Sequence, residues 1–317
     1  MLVLVDRFPE MLGEGAALAG KVDLNKYRAI KNIALAGMGG SAIAGDIVKE
    51  LVAHKLKVPF LVLRNYNIPK CITKGSLVIV CSYSGNTEET LSAFKQAQAA
   101  GAKIIVITSG GKLGKLAQGL TRIIIPGGLP PRAALGYFLG CLLVLLNAGA
   151  DIPKVKKTLN KLRAKYKLAS RRLAGKLQHK LPLIFATNGI NEAVGLRYKT
   201  QFNENGKVTA HLAVFPELDH NELESLAKLK KGKHDFYLLI LRSLQESARM
   251  RQRINITRQI LSAHMPVKEL WGEGRSRIME NLSLINFGDY LSIYLAQKRG
   301  VDPTPVNAIE GFKRRLG

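Results

Sequence analysis

Short aliphatic runs recur along the first half of the chain, separated by stretches in which apolar residues return every three or four positions. Runs at 33–36, 59–63, 77–82, 104–108 and 122–125 predict strands, and 41–54 and 86–100 predict helices. Runs that are apolar throughout, rather than at alternate positions, belong to strands buried on both faces, and the intervening helices supply the cover. The pattern therefore predicts a doubly wound, parallel α/β sheet. Residues 133–146, AALGYFLGCLLVLL, are apolar for 14 positions; a membrane span needs ~20, so a buried core or interface helix is expected.

A change of pattern follows. Residues 154–180 hold 11 Lys or Arg and no acid, while Val155, Leu159, Leu162, Tyr166, Leu173 and Leu177 recur at helical spacing. That is an amphipathic helix with a basic outer face. Beyond it the earlier pattern restarts: LPLIFATNG at 181–189 echoes NIALAGMGG at 32–40, 236–241 echoes 77–81, and 267–270 supplies another strand. Two similar domains, 1–150 and 151–317, are expected. Sites in such folds lie beyond the carboxyl ends of the strands, so a site shared between the halves is anticipated.

Composition narrows the field. At 317 residues the chain exceeds what one core usually serves. Cys71, Cys81 and Cys141 are odd in number and lack metal-type spacing, which argues for a reducing cytoplasm. MLVLV is broken by Asp6 and Arg7, too early for the apolar core of a signal peptide. Lys and Arg total 48 against 23 Asp and Glu, a formal +25. Such an excess fits nucleic acid, an anionic small substrate, or a chain that is simply basic. No zinc-finger spacing or helix-turn-helix accompanies it, so nucleic acid and membrane are not expected as partners.

Two strand-to-helix turns carry candidate chemistry. CSYSGNTEET, 81–90, follows an aliphatic strand with Ser82, Ser84, Gly85, Asn86 and Thr87. A capping box built on Asn86 and Glu89 explains two of these residues. It leaves the hydroxyls unexplained, and hydroxyls at a helix N-terminus suit a phosphate monoester. GMGGSAIAGD, 37–46, supplies a second turn, with Gly39, Gly40 and Ser41 at the helix start. Read as a dinucleotide fingerprint it lacks the acidic residue after the next strand, where Leu63, Arg64 and Asn65 stand.

GMGGSAIAGD followed by SYSGNTEET resembles the sugar isomerase, or SIS, domain. With NENGK at 203–207 and VDPTP…FK near the end, the whole chain resembles the archaeal bifunctional phosphoglucose/phosphomannose isomerases. That resemblance implies two doubly wound SIS domains, each an αβα sandwich, in a homodimer that interconverts aldose and ketose 6-phosphates without metal or cofactor. It implies that Ser41, Ser82, Ser84 and Thr87, with Gly39 and Gly40, hold the 6-phosphate of a phosphorylated hexose. Glu204 matches the catalytic base and His220 the ring-opening histidine, which related isomerases take from the partner subunit. Arg132 matches an arginine that stabilises the enediolate, Lys313 a lysine at the site, and Thr304 a threonine tied to accepting both epimers. WGEG and LRSLQESARMR imply that the second half has lost its phosphate loop.

The residues support some of this unaided. Moving a proton between C1 and C2 needs one positioned carboxylate, and Glu204 stands just before Gly206, where a helix is expected to end. A solvated helix-end acid is the plainer alternative. His220 could equally cap a helix, and Arg132, beside two prolines, could simply start one. His54, His179, His211, His234 and His264 show no ligand spacing, so no metal site is expected. A non-catalytic phosphosugar-binding regulator remains the alternative to an enzyme, and a sensor has no use for Glu204 and His220 together.

Overall fold

The computed structural model describes every residue except Arg28, Lys231, Lys233, His234 and Gly317. The helices α1 (Leu2–Asp6) and α2 (Phe8–Ala19) precede the first sheet. That sheet comprises β1 (Asn32–Ala36), β2 (Phe60–Leu63), β3 (Ser76–Ser82), β4 (Lys103–Thr108) and β5 (Thr121–Ile124), in the order β2-β1-β3-β4-β5. All its pairings are parallel. Every residue of central β3 is buried, which is why its sequence shows no alternation. The helices α3 (Gly39–Val52), α4 (Glu88–Ala99) and α5 (Gly111–Leu116) follow β1, β3 and β4, and α4 and α5 pack Phe94 and Leu113 against Val78, Val80 and Val106 in one cluster. Each such side chain contributes about 1.5–3 kcal/mol on full burial.

The apolar run at 133–146 forms a short 3₁₀ turn, Pro131–Ala134, and then α6 (Leu135–Leu145). Ten residues of α6 are buried, from Leu135 to Leu145 with only Val144 partly exposed. The helix α2, which the strand-and-helix pattern does not announce, supplies cover: Tyr137 donates to Glu14 at 2.7 Å and the Cys141 thiol to the Gly15 carbonyl at 3.2 Å. Among the described residues, no helix is long and apolar enough to cross a membrane.

Two compact units emerge, residues 6–160 and residues 161–317 with 1–5. The basic segment is a single helix, α7 (Ile152–Leu177), whose Val155, Leu159, Tyr166, Leu173 and Leu177 are buried as the spacing predicts. The second unit holds β6 (Leu181–Thr187), α8 (Glu192–Glu204), β7 (His211–Phe215), α9 (Glu222–Leu226), β8 (Phe236–Arg242), α10 (Ala248–Ser262), β9 (Val267–Trp271), α11 (Arg277–Lys298) and α12 (Asn307–Leu316). Its sheet is parallel with the order β7-β6-β8-β9. This repeats the first four positions of the other sheet, so the echoes of 32–40 at 181–189 and of 77–81 at 236–241 are equivalent strands. A second cluster, including Leu183, Phe185, Phe215, Leu238, Ile240 and Ile254, forms its core.

In this second unit α8 is fastened to α11 by buried polar groups. Arg197 grips Asp289 with two bonds, of 2.9 and 2.7 Å, and Gln201 adds a third at 3.1 Å. One turn on, Asn205 donates to the Ser292 hydroxyl at 3.0 Å. Arg197, Gln201 and Asn205 recur every four residues, so they form one stripe along α8 and fix its rotation and its axial position.

Candidate functional site

The first sheet turns back on itself between β1 and β3, since β2 lies on one side of β1 and β3 on the other. Ligands of open α/β sheets sit in the crevice at such a switch. Both turns singled out in the sequence end there: β1 runs into α3 and β3 into α4. Neither helix is capped by a side chain; the cap residues are Met38 and Thr87. The predicted capping box is therefore corrected. The first turn of α4 begins at Glu88, too late for Asn86 to cap, and the Asn86 amide oxygen instead accepts from the Lys112 N–H at 3.0 Å.

The hydroxyls are organised around this opening. Ser82 and Thr87 lie 3.0 Å apart, oxygen to oxygen, the Gly85 amide donates to Ser82 at 3.1 Å, and the Asn86 amide donates to Ser84 at 3.2 Å. Gly85 has φ +67° and a Cβ there would lie 1.9 Å from the Gly110 carbonyl oxygen, so only glycine closes the loop this tightly. Ser82 is buried, Thr87 half-buried and Ser84 exposed. Loop hydroxyls and uncapped helix amides together present hydrogen-bond donors and the positive ends of two helix dipoles.

Arg132 belongs to this same edge. A Cβ on Gly40 would lie 3.2 Å from the Pro131 carbonyl and 3.3 Å from the Arg132 Cα, so the start of α3 is seated directly on the turn that carries the arginine. Arg132 is the second residue of that 3₁₀ turn, which Pro131 starts, and it is buried, with 5 % exposure. Tyr83, whose importance the sequence does not reveal, braces the approach. Its hydroxyl donates to the Pro126 carbonyl at 3.0 Å and accepts from the Leu129 amide at 2.8 Å, and burial pushes its phenol up. The structure thus brings Gly39, Gly40, Ser41, Ser82, Ser84, Thr87 and Arg132 to one end of the first sheet. Asp46, from the same glycine-rich motif, pairs with Arg64 at the end of β2 and ties helix to strand.

The equivalent switch in the second sheet, between β6 and β8, is filled by the protein itself. Asn191 accepts from the Thr187 amide at 2.7 Å and donates to the Leu241 carbonyl at 3.2 Å. Buried Glu246 accepts from the Ser243 amide at 2.8 Å and from Arg242 at 2.9 Å, while Ser247 caps α10. A carboxylate of the chain stands where the first unit leaves its donors open.

Glu204 is the last residue of α8, half-buried, as the expected helix end requires. The following turn is built on Lys207, in left-handed backbone at φ +51°, whose ammonium donates to the Glu204 carbonyl at 2.5 Å and to the Pro305 carbonyl at 2.5 Å. Glu204 and the Thr304 segment are thus brought together. His220 ends a 3₁₀ turn, Glu217–His220, and is exposed. It caps nothing: Asn221 accepts from the Glu222 amide at 2.5 Å and does that work. Neighbouring Asp219 anchors the turn by accepting from Arg253 at 2.8 Å and Thr257 at 2.9 Å. Lys313 lies exposed on α12. Among the described residues, no group of three or more His, Cys, Asp and Glu could hold a metal ion, and His234 lies outside them.

Comparison with known proteins places this geometry. Residues 26–124 match the SIS domain family, and 167–316 match the bacterial phospho-glucose isomerase C-terminal SIS domain. A bifunctional phosphoglucose/phosphomannose isomerase of Caldicellulosiruptor bescii is 38% identical over 100% of this chain and 98% of its own. The chain belongs to that isomerase family. Its namesake in Thermoplasma acidophilum is 39% identical over 90% of this chain and 89% of its own. The fold is shared more widely: a hypothetical protein of Thermus thermophilus superimposes with a TM-score of 0.77 at 19% identity, over 98% of this isomerase and 89% of that chain.

Proposed function

We propose that this isomerase interconverts glucose 6-phosphate and mannose 6-phosphate with fructose 6-phosphate through a cis-enediol, in a site that acts on both epimers. The observation that carries the reading is the pair of uncapped helix starts at the β1/β3 switch, with the Ser82–Thr87 hydroxyls between strand and helix. That arrangement suits one dianionic phosphate, and the family comparison supplies the sugar. In this reading Ser41, Ser82, Ser84 and Thr87 bind the phosphate, while Glu204 removes a proton at C2 and returns it at C1. Arg132, always charged, stabilises the enediolate oxygen. His220 opens the ring; its exposure supports the further reading that it serves the site of a second copy in a homodimer. Thr304 and Lys313 contact the sugar.

The test is direct. Purified protein treated with EDTA is incubated with fructose 6-phosphate and the products are separated. Both aldose 6-phosphates are expected. Absence of aldose would return the chain to phosphosugar binding without catalysis, and a single aldose would remove the bifunctional assignment.

A further inference from the structure

We propose that Lys207 and Asp302 form a clasp that holds Thr304 against the end of the Glu204 helix, making Lys207 a positioning residue for the choice between the two aldose epimers. This rests on the isomerase reading given above. Lys207 occupies left-handed backbone, φ +51°, that side chains other than glycine rarely adopt, and such a conformation persists only where its surroundings over-determine it. Here the surroundings are two carbonyls. The ammonium takes the Glu204 oxygen at 2.5 Å and the Pro305 oxygen at 2.5 Å, across ninety-eight positions of sequence. One flexible lysine therefore joins the residue proposed as base to the loop that follows α11.

Asp302 completes the link. Its carboxylate accepts from the Thr304 amide at 2.8 Å, which fixes the backbone that carries the Thr304 hydroxyl. The amide first, then the hydroxyl, and also the Lys207 charge hold this carboxyl below its usual range, so it is an acceptor at neutral pH. The Thr304 backbone is thereby held in one place relative to the end of α8. The two aldose substrates differ only in where the C2 hydroxyl points, so a small displacement of Thr304 changes their relative fit more than the fit of the phosphate.

The experiment compares wild type with Lys207→Met, Lys207→Gly, Lys207→Arg, Asp302→Asn and the Lys207→Met/Asp302→Asn double variant. It reads kcat and KM on both aldose 6-phosphates, together with hydrogen exchange of the Thr304 amide. Loss of a charge-assisted hydrogen bond should lower kcat about tenfold in Lys207→Met. KM should stay within about twofold and the mannose-to-glucose ratio of kcat/KM should move at least about threefold, since phosphate contacts are untouched. Lys207→Gly should do the same although glycine suits this backbone, which separates positioning from loss of folding. Lys207→Arg should restore most activity, and the double variant should be no worse than the more damaging single one. Exchange at Thr304 should quicken in every variant but Lys207→Arg. An active wild type whose kcat, epimer ratio and Thr304 exchange are unchanged in Lys207→Met overturns the clasp. If wild type shows no isomerisation, the functional reading falls, and Thr304 exchange still decides whether the clasp exists.

Discussion

Ser84 and Thr87 look alike in sequence but stand differently: Thr87 is half-buried 3.0 Å from Ser82, whereas Ser84 is exposed and accepts the Asn86 amide. Both keep a hydroxyl at the open start of α4. A hydrogen bond to a charged group contributes about 1.5–3 kcal/mol. Either Ser84→Ala or Thr87→Ala should therefore raise KM for fructose 6-phosphate by about tenfold or more. Steady-state kinetics with kcat reported separately will show it, and unaltered KM in both variants would make this loop a structural turn only. Glu204 makes the complementary case. Glu204→Gln keeps shape and the helix end while removing the proton acceptor, so kcat should fall about a hundred- to ten-thousand-fold. Both aldoses should be affected together; survival of one activity would require a second base. The serine-rich loop was legible because hydroxyls exceed what a cap needs. The cap itself was not, because Asn86 two positions from the helix offers the same side chain that Asn86 at the cap would, and only the Lys112 amide shows where it went.

Elements were legible where burial is uniform. The strands 33–36, 77–82 and 104–108 were plain because both faces are covered, and β3 has no exposed position to blur the run. β7, HLAVF, escaped notice for the opposite reason: it lies at the edge of its sheet, five residues long, with His211 exposed at its start. Helix α2 was hidden by Gly13 and Gly15, which weaken helical propensity; Gly15 permits close contact with α6, since a Cβ there would lie 2.3 Å from the Tyr137 carbonyl oxygen. Nor does any local pattern reveal the stripe of Arg197, Gln201 and Asn205, since its partners Asp289 and Ser292 lie about ninety positions away. That stripe sets where α8 ends and so where Glu204 stands. Arg197→Met should leave Asp289 buried without its bidentate partner and cost about 3–5 kcal/mol. Thermal unfolding followed by far-ultraviolet circular dichroism should show a midpoint lower by on the order of 10 °C. A midpoint within a degree or two of wild type would mean that Asp289 is not left uncompensated, its carboxyl being satisfied by Gln201 or neutralised by a proton.

The chain repeats a fold without repeating its serine-rich loop. Sequence showed the repetition in the echo of NIALAGMGG by LPLIFATNG, and it showed that the second half lacks a serine-rich loop. What it did not show is how the empty place is filled, because Glu246, Arg242 and Asn191 are ordinary residues until strand order puts them at the β6/β8 switch. Physically, a buried guanidinium and carboxylate that satisfy each other and the Ser243 amide leave no donor for an incoming phosphate, and a second anion would have to displace Glu246 into like-charge contact. The formal +25 does not offset this, since surface lysines are screened over about 8–10 Å and do not enter a closed loop. One phosphosugar per chain is therefore expected. Isothermal titration with 6-phosphogluconate, a carboxylate that cannot isomerise, should give a stoichiometry near one, and Thr87→Ala should weaken that single site without changing the number. Glu246→Ala, which removes one of the two carboxylates paired with Arg242 and leaves Glu269, should still bind one ligand because the fold around β8 has closed over the switch. A stoichiometry of two in wild type, with only half of the sites weakened by Thr87→Ala, would mean that the second sheet binds phosphosugar as well and that the duplicated fold has kept both of its sites.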